Sequence, residues 1–168
     1  PPFNVRAVFT VTEAELPLEQ TETHPEIDFY HHPIPNGQAP SLDHIRLFLS
    51  QTDRYHFEER GERFMVHCRG GIDRTGTMLA VWMMYRTGYS LGAIIGHIRK
   101  MKSPVAINSD VQEPFLYALE ECTPLDPETK MRSREDLFRI SQFDLDKANK
   151  PRVPEEPEKE GCAWCTLL

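Results

Sequence analysis

A strand, a glycine-containing loop and a helix follow one another between residues 64 and 85, and this succession most constrains the fold. Residues 64–67 are a short apolar run typical of a buried strand. Residues 74–85 favour a helix, and Gly70 and Gly71 lie between the two, where they permit a tight turn. A loop that opens a helix directs unpaired backbone N–H groups and the positive end of the helix dipole at one point. A phosphate dianion can therefore bind at this loop.

Strands and helices alternate over the rest of the first 122 residues. Residues 5–11 are rich in β-branched and aromatic side chains, and residues 27–31 alternate in polarity, so both predict strands. Ser41 and Ser90 are good N-caps for two helices, and residues 110–120 predict another. The pattern predicts an α/β fold with a central, mostly parallel sheet flanked by helices.

The composition changes after Cys122. The chain has 168 residues, enough for one ordinary domain, and residues 123–168 contain five of its 14 prolines. We expect residues 1–122 to form the folded domain and residues 123–168 a polar C-terminal extension. Within it, the spacing of Leu137, Ile140 and Phe143 predicts one short helix, and residues 151–161 are typical of a solvated spacer.

Charge and cysteine content exclude several classes of protein. The formal net charge is −7, so the chain lacks the overall positive field that nucleic-acid binding needs. No apolar run approaches the roughly 18–20 residues that span a bilayer. Four unevenly spaced cysteines favour free thiols in a reducing compartment, which predicts a cytoplasmic protein. No histidine pair has a recognisable metal spacing, and we expect neither a metal nor another cofactor.

The loop itself carries a reactive pair, Cys68 and Arg74, separated by five residues. The N–H groups and the helix dipole favour the thiolate and lower the pKa of the Cys68 thiol. Arg74 offers a planar fork that binds two phosphoryl oxygens, and the Thr75 hydroxyl can stabilise the departing thiolate. A thiolate and a dianion clamp in one loop predict phosphoryl transfer to cysteine followed by hydrolysis.

This Cys-x5-Arg-Thr motif after an apolar strand resembles the signature of the protein tyrosine phosphatase superfamily. The order of a Pro-Ile-Pro-x-Gly loop, a helix, the motif and a later Gln112 resembles the small atypical dual-specificity phosphatases across residues 5–121. The resemblance implies a dual-specificity-phosphatase-like fold and a phosphotyrosine or phosphoserine/threonine protein substrate. It also implies that Gln112 helps to position the hydrolytic water. The substrate-binding residues are then expected to be Arg69, Gly70, Gly71, Ile72, Asn36 and Gln112, and the catalytic residues Cys68, Asp73, Arg74 and Thr75.

One position departs from that pattern. Relatives carry an aspartic acid, the proton donor to the leaving group, in the loop where this chain has Asn36, and an amide is not an acid at neutral pH. Asp73 resembles the aspartate that myotubularin-type lipid phosphatases carry inside the loop, and it is the substitute we favour. The alternatives are that Asp73 only anchors the loop, or that no acid is needed because the leaving group is good or turnover is slow.

Two other functions therefore stay open. Without an acid, the chain would be a phosphate-recognition module with weak turnover. A phosphoinositide phosphatase is the other alternative, but apart from Arg69 and Arg74 the loop has no cation, whereas the lipid phosphatases related to tensin carry lysines there. The short chain before Cys68 leaves no room for the long substrate-recognition loop of the large tyrosine-specific enzymes, which favours dual specificity.

The last four residues, starting at Cys165, fit a C-a-a-X prenylation pattern whose final Leu168 indicates geranylgeranyl addition. With the phosphatase motif, this tail resembles that of the phosphatases of regenerating liver. It predicts peripheral membrane attachment through Cys165. Against it, the acidic run at residues 155–160 would be repelled by an anionic membrane surface, and Cys162 and Cys165 also read as incidental thiols or a redox or metal pair.

Overall fold

The computed structural model describes residues 4–17, 22–124, 126 and 132–148. Within them the chain forms, in order, β1 (Val5–Thr10), β2 (Asp28–His31), α1 (Leu42–Thr52), α2 (Phe57–Arg60), β3 (Arg63–His67), α3 (Asp73–Arg86), α4 (Leu91–Met101), α5 (Gln112–Cys122), α6 (Arg134–Arg139) and α7 (Gln142–Ala148). None of the helices in these ranges is both long enough and apolar enough to cross a membrane. The alternation of strands and helices predicted from the sequence is confirmed.

The three strands form one parallel sheet in the order β2-β1-β3. Thr10, the last residue of β1, pairs with His31 of β2 and with His67 of β3. All three strands therefore end at the same edge, where ligands bind in open parallel sheets. Cys68 is the first residue after β3 and so lies at that edge.

The core joins the central strand to the helices. Ala7 and Phe9 of β1 have no exposed surface, and the Phe9 ring packs against the ring of Phe48 in α1 at 4.8 Å. Met78 and Met84 of α3 are also fully buried, so this helix runs through the interior. Helix α3, which begins directly after the loop at residues 68–72, is therefore supported along its length by packed side chains.

Two helix starts predicted from the sequence are confirmed. The Ser41 side chain accepts a hydrogen bond from the His44 amide at the start of α1. Ser90 accepts one from the Ala93 amide at the start of α4. In both cases the hydroxyl satisfies an N–H group that has no partner within its helix.

The C-terminal segment differs from its prediction. It forms two short helices, α6 and α7, instead of one, because Ser141 accepts a hydrogen bond from the Asp144 amide and begins a second helix. Leu137, Ile140 and Leu145 belong to the same hydrophobic core as the preceding domain. The composition change at residue 122 therefore does not mark the end of the packed core, which continues into residues 132–148. Cys162 and Cys165 lie outside the described residues.

Candidate active site

The Cys68 sulfur is held by two donors from the loop and from the helix that follows it. The Gly71 amide donates to Sγ at 3.1 Å, and the Thr75 hydroxyl donates to the same atom at 3.1 Å. Gly71 has a φ of 65°, which a residue with a side chain adopts only with strain, so the glycine allows the loop to turn its amide towards the sulfur. Thr75 is buried in the first turn of α3, and this position fixes its hydroxyl.

This environment changes the pKa of the Cys68 thiol in two opposite directions. Partial burial raises the pKa of the thiol. Hydrogen bonds from the Thr75 side chain and backbone and from the Gly71 backbone, together with the charge of Arg74, lower the pKa by more than burial raises it. The net result is a pKa below the ordinary value. At Cys122, on the last turn of α5, burial and nearby carboxylates raise the pKa instead. Cys68 is therefore the more reactive of the two described thiols.

We expect Cys68 to react with iodoacetamide at lower pH than Cys122, because alkylation rates follow the thiolate fraction. Replacing Thr75 by Val keeps the shape but removes a donor to the thiolate, so the pH midpoint for Cys68 rises while that for Cys122 stays unchanged. Mass spectrometry of the two tryptic peptides over a pH series measures both rates. Coincident pH profiles for the two cysteines would contradict the assignment.

Arg74 is buried and oriented by two acceptors. Its Nη1 donates to Oε2 of Glu13 at 2.8 Å and to the carbonyl oxygen of Ile34 at 2.9 Å. Glu13 follows β1, and Ile34 lies in the loop after β2, so the ends of two neighbouring strands aim one guanidinium. Such a buried, oriented fork suits bidentate binding of phosphoryl oxygens.

Glu13 lies in the site although the sequence did not predict it there. Glu13 accepts a hydrogen bond from the Arg74 guanidinium and another, at 2.7 Å, from the backbone N–H of Asn36. The backbone N–H of Glu13 itself, the Arg74 guanidinium and the backbone N–H of Asn36 lower the pKa of this carboxyl to about 2. Glu13 is therefore ionised throughout the neutral range and is not a proton donor there. Its position three residues beyond the last residue of β1 was the available signal, because the strand ends of parallel sheets form the edge where ligands bind.

Asp73 is the first residue of α3, and its Oδ1 accepts a hydrogen bond from the Asn108 amide at 3.3 Å. The donor is the backbone N–H of Asn108, so this contact ties the segment at residues 103–111 to the start of α3. A Cβ on Gly76 would lie 2.7 Å from Cγ1 of Ile107, so only glycine at this position allows so close an approach. The Asp73 carboxylate thus has one anchoring contact, to Asn108, and Asp73 also lines the cavity described below.

Gln112 is fully buried, and both ends of its amide are fixed. Oε1 accepts from the Thr77 hydroxyl at 3.0 Å, and Nε2 donates to the Gln38 carbonyl at 2.7 Å. One N–H remains on Nε2 beyond the Gln38 contact. The amide plane is therefore set before any ligand binds.

These groups surround one cavity of about 650 Å³. Eight residues expected at the site from the sequence line it, namely Asn36, Cys68, Arg69, Gly70, Ile72, Asp73, Arg74 and Gln112. The other two expected residues of the loop, Gly71 and Thr75, contact the Cys68 sulfur. Glu13, Gly37 and Ser109 also line the cavity and were not predicted. Among the described residues, no group of three His, Cys, Asp or Glu side chains is arranged to hold a metal ion.

Three features at the ends of the parallel strands define the class of cysteine-dependent phosphatases: a thiol with a lowered pKa, a loop amide that donates to its sulfur, and a buried arginine. Comparison with protein families agrees with this class. The family model PTP-SAK, described as "Swiss Army Knife protein, DSP-PTPase phosphatase domain", matches residues 2–115. The chain therefore belongs to this family of dual-specificity and tyrosine phosphatase domains, as its sequence resemblance predicted.

Individual relatives carry the same kind of domain. The tyrosine-protein phosphatase cdc-14 of Caenorhabditis elegans is 39% identical over 81 residues, which make up 48% of this chain and 10% of that protein. The tyrosine-protein phosphatase CDC14 of Candida albicans is 23% identical over 82 residues, covering 49% of this chain and 14% of that protein. The matches thus cover a small part of these curated relatives. The crystal structure of Tk-PTP in the active form superposes with a TM-score of 0.61 and 29% identity, over 70% of this chain and 80% of that one.

Proposed function

We propose that this chain hydrolyses phosphotyrosine or phosphoserine/threonine in proteins through a phosphocysteine intermediate. The observation that carries the proposal is the Cys68 sulfur, which receives hydrogen bonds from Gly71 and Thr75 inside a cavity also lined by Arg74. Membership of a phosphatase-domain family and similarity to tyrosine-protein phosphatases support it.

In the first step the Cys68 thiolate attacks phosphorus, so that an S–P bond forms while the P–O bond to the leaving group breaks. Arg74 and the loop amides bind the phosphoryl oxygens and stabilise the charge of the transition state. In the second step water attacks phosphorus, the S–P bond breaks and inorganic phosphate leaves. The Thr75 hydroxyl, 3.1 Å from the sulfur, stabilises the departing thiolate, and the remaining N–H of Gln112 orients the water.

The leaving oxygen needs a proton, and Asp73 is the acid we propose. Glu13 is ionised because of its low pKa, and Asn36 carries no acidic proton. Asp73 lines the cavity, and its contact with the Asn108 amide uses only Oδ1. The other carboxyl oxygen is then available to carry the proton. This role is supported because Glu13, the other carboxyl group that lines the cavity, is already ionised.

We expect Asp73→Asn to lower kcat for an alkyl phosphate about 100-fold, because the leaving alkoxide then departs without a proton donor. The asparagine side chain has the same shape as aspartate and keeps Oδ1 as the acceptor for the Asn108 backbone N–H. The substitution therefore removes only the acidic proton. An aryl phosphate, whose leaving group needs less protonation, is slowed less. Stopped assays with both substrates at one pH measure the two losses in kcat.

The matched control is Asp43→Asn, which alters an exposed carboxylate in the first turn of α1. An unchanged kcat for the alkyl phosphate in Asp73→Asn would remove Asp73 as the acid. In that case Asn36→Asp, which restores an acid at the position used by relatives, is expected to accelerate alkyl substrates more than aryl ones.

The test of the overall function is turnover of a fluorogenic aryl phosphate, with acid quenching and mass spectrometry to find a phosphoryl group on the Cys68 peptide. Multiple turnovers with phosphate on Cys68 support the enzyme. Binding of phosphate without turnover would support the phosphate-recognition module instead, for which Asn36 is the motivating residue.

A cytoplasmic location and prenylation at Cys165 belong to the proposal as well, supported by the cysteine usage and the C-a-a-X pattern.

A further inference from the structure

An arginine outside the cavity joins the two ends of a stretch of chain that lies at the site. Arg99 belongs to the last turn of α4. Its Nε donates to the Ala106 carbonyl oxygen at 3.0 Å, and its Nη2 donates to the Ile107 carbonyl oxygen at 3.0 Å. The same Nη2 donates to Oε2 of Glu113, in the first turn of α5, at 2.7 Å. A single guanidinium therefore bridges the turn after α4 to the start of α5.

The stretch between these two anchors, residues 108–112, carries contacts of the site. The Asn108 backbone N–H donates to Oδ1 of Asp73 at 3.3 Å. Ser109 lines the cavity, and its Oγ accepts a hydrogen bond from the Gln112 backbone N–H at 3.4 Å. This stretch therefore connects the proposed acid with the residue that orients the water.

The backbone just before this stretch adopts a conformation that is unfavourable by itself. Ile107 has a φ of 56°, in the left-handed region that β-branched residues rarely adopt. Its side chain is fully buried, and its Cγ1 would lie 2.7 Å from a Cβ on Gly76 of α3. Such a conformation persists only where the surrounding structure holds it. The two carbonyl contacts of Arg99 supply part of that support, because they fix the peptide groups on both sides of Ile107.

We propose that Arg99 is a positioning residue for the reaction, which holds residues 108–112 in the place that the Asp73 carboxyl and the Gln112 amide require. This inference rests on the proposed phosphatase function and adds to it a residue that contacts neither Cys68 nor the substrate. Without the guanidinium, Ile107 relaxes and the stretch shifts. A shift of about 1 Å in such a group costs up to about 10²-fold in rate. Hydrolysis of the phosphocysteine is the step most affected, since Gln112 orients the attacking water.

The experiment compares Arg99→Met with the intact protein in rapid-quench kinetics on a fluorogenic aryl phosphate. We expect kcat to fall about tenfold and phosphate to accumulate on the Cys68 peptide, because the second step is slowed. The first step with this substrate needs little protonation, so kcat/KM changes by less than about twofold. With an alkyl phosphate, kcat/KM also falls about tenfold, because the contact that positions the Asp73 carboxyl is weakened.

Arg132 is the matched control. It donates to the Met84 and Tyr89 carbonyl oxygens and to the Glu120 carboxylate, so it makes the same kinds of contact as Arg99 near the other end of α3. Arg132→Met lowers the temperature of thermal unfolding without any accumulation of phosphocysteine. Circular dichroism gives the folded fraction of each variant, and the rates are expressed per folded molecule.

Kinetics of folded Arg99→Met that match those of the intact protein would overturn the positioning role. So would an equal loss of kcat and kcat/KM with both substrates, which indicates a purely structural contact. If Arg99→Met does not fold, Arg99→Lys keeps the charge opposite Glu113, and we expect about a threefold fall in kcat with a smaller rise in phosphocysteine. An intact protein that turns over substrate without phosphate on Cys68 would contradict the proposed function and, with it, this inference.

Discussion

Replacing Cys68 by Ser is expected to lower kcat for an aryl phosphate by at least about 10⁴-fold, in the range seen when a covalent nucleophile is removed. A serine hydroxyl is not ionised by the Thr75 and Gly71 hydrogen bonds that favour a thiolate. The phosphate cradle itself remains, because Arg74 keeps its contacts with Glu13 and Ile34. The variant is therefore expected to bind phosphopeptides without releasing phosphate. Turnover assays and isothermal titration with a phosphotyrosine peptide measure the two properties separately.

Cys122→Ser is the matched control. Cys122 lies at the end of α5, where its thiol is half-buried and burial raises the pKa of that thiol. The same atom exchange there leaves turnover unchanged. If Cys68→Ser kept a tenth of the activity while Cys122→Ser removed it, the nucleophile would be misassigned. Loss of turnover in Cys68→Ser together with loss of phosphopeptide binding would contradict the intact-cradle part of the prediction.

Replacing Arg74 by Lys has the second largest expected effect, a loss of about 10²–10³ in kcat/KM, the usual result of removing a preorganised transition-state donor. Lysine keeps the positive charge. It cannot present two parallel N–H groups to the phosphoryl oxygens, nor can it keep the paired contacts with Glu13 and Ile34 in the same geometry. The loss therefore measures the planar fork and not the charge.

Arg86→Lys is the control for the loss of a guanidinium, since Arg86 pairs with Asp53 at the far end of α3. Thermal unfolding followed by circular dichroism accompanies both variants, because Arg74 is buried and its replacement also affects folding. A folded Arg74→Lys variant with activity within threefold of the intact protein would show that charge alone is sufficient. That result would exclude bidentate binding of phosphate by Arg74.

Local patterns predicted most of the elements around the site. The apolar run before Cys68, the glycines of the loop and the caps at Ser41 and Ser90 all act over a few residues, and the structure has the expected strands and helices there. Helix α2 was missed because it has only four residues, Phe57–Arg60. A periodic pattern needs several turns to be visible.

The C-terminal segment was predicted less well for a similar reason. The spacing of its apolar residues predicts one helix, whereas Ser141 and Asp144 form reciprocal hydrogen bonds that begin a second one. Burial of Leu137, Ile140 and Leu145 in the main core could not be predicted from a polar composition. Composition averages over a segment, but packing depends on the few side chains that face inward.

By itself the sequence determined the reactive unit. Cys68, the glycines, Arg74 and Thr75 lie within eight consecutive residues, and a strand–loop–helix unit of that length places them together through local geometry alone. Only the tertiary structure decided which groups complete it. Glu13 meets Arg74 across 61 residues because parallel strands end at one edge, and Asn108 reaches Asp73 across 35 residues because α4 and α5 pack against α3. Contacts between distant segments depend on how the elements pack, and no spacing within the chain encodes them.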